Sequence, residues 1–205
     1  VPLRLPVAHL GQFATTIGAV RGFGAAPPPA VVTLPIPYVQ QAWTNWCWAA
    51  CAEMASTNGT RQCALAATLL GNPCPSTAWY DQTVDENGIS NVLRNAGSLH
   101  AAHVGGTAAT TPPLTAQALQ TEINQGRPIE IGWRYFNSFG GEVGGHVVLC
   151  VGYRQQGGID YYEVHDPLPQ LGGPSRMMIW TDLVAPPGRN PQGTTSWCDA
   201  WTPLR

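Results

Sequence analysis

The chain has 205 residues, 44% of them hydrophobic and only 11% charged, with a formal net charge of −2. That length suits one sizeable domain or two small lobes around one cleft. The scattered, near-neutral charge provides no basic patch for nucleic acid, and no apolar run approaches a membrane span. All ten basic residues are arginine, and six cysteines are many for a cytosolic enzyme of this size. The cysteines point to disulfides and an oxidising compartment, and no paired Cys or His spacing supports zinc.

Val1 to Ala30 is punctuated by Pro and Gly and ends in Pro27-Pro28-Pro29. We read residues 1–35 as an N-terminal extension with a stiff proline-rich linker, either a pro-segment remnant or an unstructured tail. A start at Val1 rather than Met fits a processed product. The rest, 36–205, reads as one domain, with a helical part over 36–113 and a β part over 114–205.

Gln40 to Met54 is the stretch that organises the chain. Cys47 lies between Trp46 and Trp48 and runs into Ala49-Ala50-Cys51-Ala52-Glu53-Met54, a good helix former. The composition predicts a helix over 47–57, stopped by Asn58-Gly59. A thiol at a helix N-terminus sits among unpaired N–H groups and the positive end of the dipole, which favour the nucleophilic thiolate. Gln41 lies six residues upstream and can donate an N–H to an oxyanion; Gln40 is its one-residue-shifted rival.

A second helix is expected over 61–70 and a third over 85–96, with 99–113 crossing between the two parts. His100 and His103 fall in that crossing and could flank a metal. Thr115 caps a further helix ending at Gly126. Strands follow at 128–135, 146–153, 159–165 and 176–180, with a Gly-rich loop over 136–145. Helices first and strands later make the class α+β in two lobes. His146 opens its strand at a Gly-rich lip. If the hairpin turn centres on residue 156, Asp166 lies directly opposite His146 on the same face, and His165 points the other way.

Gln41, Cys47, Trp48 and the helix that follows resemble the start of a papain-like cysteine peptidase. The Asn45-Trp46-Cys47-Trp48-Ala49-Ala50 wording is similar to the bacterial secreted and effector branch, which includes staphopain-like and plant-pathogen effector proteases. His146 to Tyr153 is similar to that family's His strand. Asp166 stands where many relatives have Asn. The resemblance implies a two-lobe fold with the site in the cleft, a Cys47 thiolate nucleophile, His146 as its proton partner, Asp166 orienting His146, and Gln41 in the oxyanion hole. It implies a protein or peptide substrate and no cofactor. A secreted or effector-delivered monomer is expected. The alternatives are a Cys-His amidohydrolase, deamidase or acyltransferase on a related fold, and a disulfide-rich binding module with its Trp residues as contact surface. Within the helical part, Cys51–Cys74 is the first-choice disulfide and Cys63–Cys74 the second. Cys150 is expected to be free unless Cys198 reaches it.

Overall fold

The computed structural model describes residues 31–43, 46–70, 107–110, 114–168, 175–185 and 193–202. The strands are β1 (Val31–Thr33), β2 (Thr107–Thr110), β3 (Ile129–Asn137), β4 (Glu142–Gln156), β5 (Ile159–His165), β6 (Ser175–Ile179) and β7 (Gly193–Thr202). The helices are α1 (Cys47–Ala55), α2 (Gln62–Leu70), α3 (Ala116–Asn124) and α4 (Trp180–Val184). All strand pairs are antiparallel, in the order β2-β7-β3-β4-β5-β6, with β1 also on β4. The class is mixed α and β, as expected.

β4 is the spine of the sheet because its side chains feed two cores. Val148 and Cys150 pack with Ile129, Ile131, Trp133 and Val164 against Leu119, Ile123 and Leu183 of α3 and α4. Val147, Leu149 and Val151 pack with Cys51, Ala52, Met54 and Leu65 of α1 and α2. A strand apolar on both faces reads as a continuous hydrophobic run, and 147–151 has that form. α1 is Ala-rich on every side, so it can approach β4 closely; all of Trp48 to Ala55 is buried.

Several expectations shift. α1 ends at Ala55, because Ser56 leaves the helix with an extended backbone. The expected loop over 136–145 is mostly strand. Asn137 Oδ1 accepts from the N–H groups of Phe139 and Gly141 at 2.9 Å each, and Gly140 has φ +80°. That tight turn lets β3 run to Asn137 and β4 start at Glu142. Val31–Thr33, assigned above to the extension, pairs with Gly152–Arg154 of β4. β2 and β7 were not anticipated, and β7 lies between β2 and β3 inside the sheet. The expected helix over 85–96, His100, His103 and Cys74 lie outside the described residues.

The hairpin register also differs. Gly157 and Gly158 have φ of +60° and +78°, so they form the turn and Gln156 pairs with Ile159. Two consecutive left-handed residues make the hairpin turn whose twist matches that of its strands. Unbroken, this register would pair Asp166 with Leu149 and turn it away from the His146 face. A bulge between Cys150 and Gly152 moves the pairing by one residue, so that Leu149 faces His165. Asp166 then follows beside Val148, diagonal to His146 and on its face, rather than directly opposite it.

Among the cysteines, Cys47, Cys51 and Cys150 are free. This overturns Cys51–Cys74: Cys51 faces β4, where its Sγ donates to Val147 O at 3.5 Å. Cys63 is disulfide-bonded.

Gly152 is where β1 closes on the bulge. A Cβ there would lie 2.6 Å from Val32 O and 3.1 Å from Thr33 Cα, both backbone atoms. Gly152→Ala must push β1 off β4 and should cost about 1–3 kcal/mol, read from the urea midpoint. An unchanged midpoint would mean that β1 is not held there.

Candidate active site

Cys47 is the first residue of α1, and the N-cap residue Trp46 makes no side-chain capping bond. Trp46 holds the entry: its N–H donates to Trp43 O, and its carbonyl accepts from Ala50 N–H. Its ring lies 6.3 Å from that of Trp43 and 6.4 Å from that of Trp48. Cys47 is partly exposed. Burial raises its pKa, but hydrogen bonding and charge from His146, with backbone hydrogen bonds to Val147 and Trp48, outweigh this and bring it below the ordinary thiol value.

His146 lies between two partners. Its Nε2 is 2.7 Å from Asp166 Oδ1, and both side chains are buried. With Nε2 taken by the carboxylate, Nδ1 is the nitrogen left to meet Cys47. Burial disfavours the imidazolium, yet hydrogen bonds with Asp166 and Cys47 and the charges on both raise its pKa to about 9. Trp133, its cross-strand neighbour, tilts over the imidazole at 6.1 Å and donates its own Nε1–H to Leu183 O at 2.9 Å.

Asp166 is fully buried, which alone would raise its pKa. The His146 hydrogen bond and charge, the Leu168 N–H at 3.0 Å and the Arg176 charge more than offset burial, and the pKa is lowered. An ionised carboxylate only accepts, so His146 Nε2 carries the proton. Arg176 Nη2 forms an ion pair with the other carboxylate oxygen.

Gln41 is buried and Gln40 exposed. Gln41 Nε2 donates to Trp43 O at 2.7 Å. Its backbone N–H donates to Pro167 O at 3.0 Å, tying it to the residue after Asp166. The segment is clamped by Gln62, whose Oε1 accepts from Ala42 N–H at 2.9 Å and whose Nε2 donates to Gln40 O at 2.8 Å. Gln62 N–H in turn donates to Glu53 Oε2 at 2.9 Å, and Glu53 pairs with Arg61. The structure therefore brings Gln41, Cys47, His146 and Asp166 into one connected set. His165 lies on the other face, edge-on to Tyr38.

Residues 33–182 match the model of the peptidase C39-like family. The chain belongs to the peptidase C39-like family. Membership indicates a cysteine protease, in agreement with the coarser part of the resemblance drawn from Cys47 and His146. No curated protein matches the chain. The matched span runs from the end of β1 into α4 and contains all four members of the set.

Sequence reading of this peptidase C39-like chain missed Gln62, Arg176 and Glu130. None carries a local signal, since each matters through a partner more than eight residues away or, for Glu130, through burial. Glu130 is fully buried beneath α1, and neither carboxylate oxygen has a hydrogen-bond partner among the described residues. Burial, with a smaller contribution from the Cys47 charge, pushes its pKa well up. A carboxyl with a raised folded-state pKa holds its proton more tightly folded than unfolded. Stability must then fall as pH rises above the unfolded value near 4.5, until the raised pKa is passed. Glu130→Gln cannot ionise and should show a flatter stability curve over that window. Parallel denaturation curves for the two proteins across pH would contradict the neutral, buried carboxyl.

Proposed function

We propose that the chain is a secreted cysteine endopeptidase whose catalytic set is Cys47, His146, Asp166 and Gln41, built on a two-lobe, papain-like arrangement. The observation that carries the reading is His146: its imidazole bonds the Asp166 carboxylate on one side and the Cys47 thiol on the other. That is the order in which a thiolate–imidazolium pair is made and oriented.

The resting pair is a Cys47 thiolate and a protonated His146. The thiolate attacks the carbonyl carbon of a bound peptide, and the C=O π pair moves onto oxygen. The oxyanion sits between the Cys47 backbone N–H and the Gln41 amide. His146 protonates the leaving amine, the C–N bond breaks, and a thioester remains. His146, now neutral, takes a proton from water as its oxygen attacks the thioester. Collapse releases the carboxylic acid and restores the ion pair. Asp166 accepts from Nε2 throughout and keeps the other ring nitrogen aimed at sulfur.

The cysteine count and the disulfide-bonded Cys63 support the secreted reading. The substrate class is protein or peptide, cleaved by the chain acting as a monomer.

Incubation with casein, with and without a thiol-directed epoxide, tests the reading. Cleavage that the epoxide and Cys47→Ala both abolish is expected. Labelling of Cys47 without cleavage would move the chain to the amidohydrolases or acyltransferases, and neither labelling nor cleavage would make it a binding module. Gln41→Ala should lower kcat by about 10²-fold, the scale of one lost oxyanion donor. Gln40→Ala should not, since Gln40 contributes its carbonyl to the Gln62 clamp rather than its side chain.

A further inference from the structure

We infer that Arg176 is a positioning residue that balances the Asp166 charge, allowing an aspartate to orient His146 without locking the imidazole into its protonated form. The inference rests on the catalytic reading above. It starts from the sheet. Arg176 pairs across β5 with Val164, and Asp166 lies two residues beyond Val164 on the same face. The guanidinium therefore reaches the carboxylate diagonally, from the strand on the side away from His146. Asp166 is divided between them: one oxygen takes His146 Nε2 and Leu168 N–H, and the other takes Arg176.

The groups facing this pair can be taken element by element. α1 contributes Cys47 and Cys51, the segment before it Tyr38, β3 Tyr135 and β6 Arg176. Burial raises the pKa of Cys51, Tyr38 and Tyr135, so these three stay neutral around neutral pH. Glu130, which faces Cys47, is neutral for the same reason. Among the described residues, the charges that remain are the Cys47 thiolate, the His146 imidazolium, the Asp166 carboxylate and the Arg176 guanidinium. They sum to zero. A neutral Asn at 166 would give the same sum only with Arg176 absent as well. An aspartate without Arg176 would leave one uncompensated negative charge in a buried site.

The sign follows from that sum. Removing Arg176 strengthens the field of Asp166 on His146, so the imidazolium holds its proton to higher pH. Removing the Asp166 charge does the opposite. Removing both returns the sum to zero.

The experiment is the pH profile of kcat/KM on a peptide substrate for the full chain, with iodoacetamide alkylation of Cys47 followed in parallel. Arg176→Met should move the alkaline limb up by about one pH unit, the low end of the effect of a neighbouring charge. Asp166→Asn should move it down, and the double variant should return it close to wild type. Arg176→Lys keeps the charge and should leave the limb in place. If Arg176→Met does not fold, Arg176→Gln carries the same expectation. A purely structural Arg176 would lower kcat in the single variants without moving the limb, and superimposable limbs would overturn the inference. A wild-type Cys47 that alkylates no faster at neutral pH than an ordinary thiol would instead sink the catalytic reading on which the inference rests.

Discussion

The 2.7 Å bond between His146 Nε2 and Asp166 Oδ1 joins two side chains that are 6% and 1% exposed. Each would be costly there alone. Breaking one partner out of a buried charged pair typically costs about 3–5 kcal/mol, because the other is left without a counter-charge. The bond exists only because the pairing of β4 and β5 slips by one residue at Cys150–Gly152. Side chains alternate across a strand, so an odd slip decides which face Asp166 takes. Gly152 permits the slip and also lets β1 close on it. A backbone irregularity thus sets the chemistry of the site, with the hydrophobic faces of β4 holding everything else in register.

The second half of the site depends on hydrogen bonds between segments distant in sequence. Gln41 is tied to Pro167, its flanking residues to Gln62, and Gln62 to Glu53. Glu53 stands six residues, just under two turns, along α1 from Cys47. The helix that presents the thiol therefore also anchors the clamp that holds the Gln41 segment. Displacing α1 would move both together, and their relative position is kept by the helix itself.

Much of this was legible in residues with strong local signatures. Cys47 opens a helix because an Ala-rich run follows it, and Thr115 caps α3 by accepting from Ala118 N–H, as its position implied. The face of Asp166 was read correctly from an incorrect turn centre: the real turn lies at Gly157–Gly158, and the bulge restores the parity. Neither shift is visible in a hydrophobic pattern, although a Gly within an apolar strand is a recognised sign of a bulge. β7 went unread although Thr194, Thr195, Trp197 and Trp201 are good strand formers, because no turn signal ties it to a neighbour in sequence. Its partners, β2 and β3, are far away along the chain. Cys51 was expected in a disulfide with Cys74, but its thiol donates to Val147 O of β4. Arg176 and Gln62 had no signal at all, since a charge or an amide in an element says nothing about a partner brought to it by folding.

The central claim is that Cys47 rests as a thiolate because His146 holds the proton. Its most direct measurement is the ultraviolet thiolate absorbance titrated with pH, taken as the difference between the wild type and Cys47→Ser, and repeated in a His146→Ala background. The account predicts a Cys47 thiolate that forms below the ordinary thiol pKa and persists at neutral pH, and a titration moved upward once His146 is gone, because burial then acts unopposed by the imidazolium. A Cys47 that titrates at or above the ordinary value in the wild type, or identically with and without His146, would contradict it.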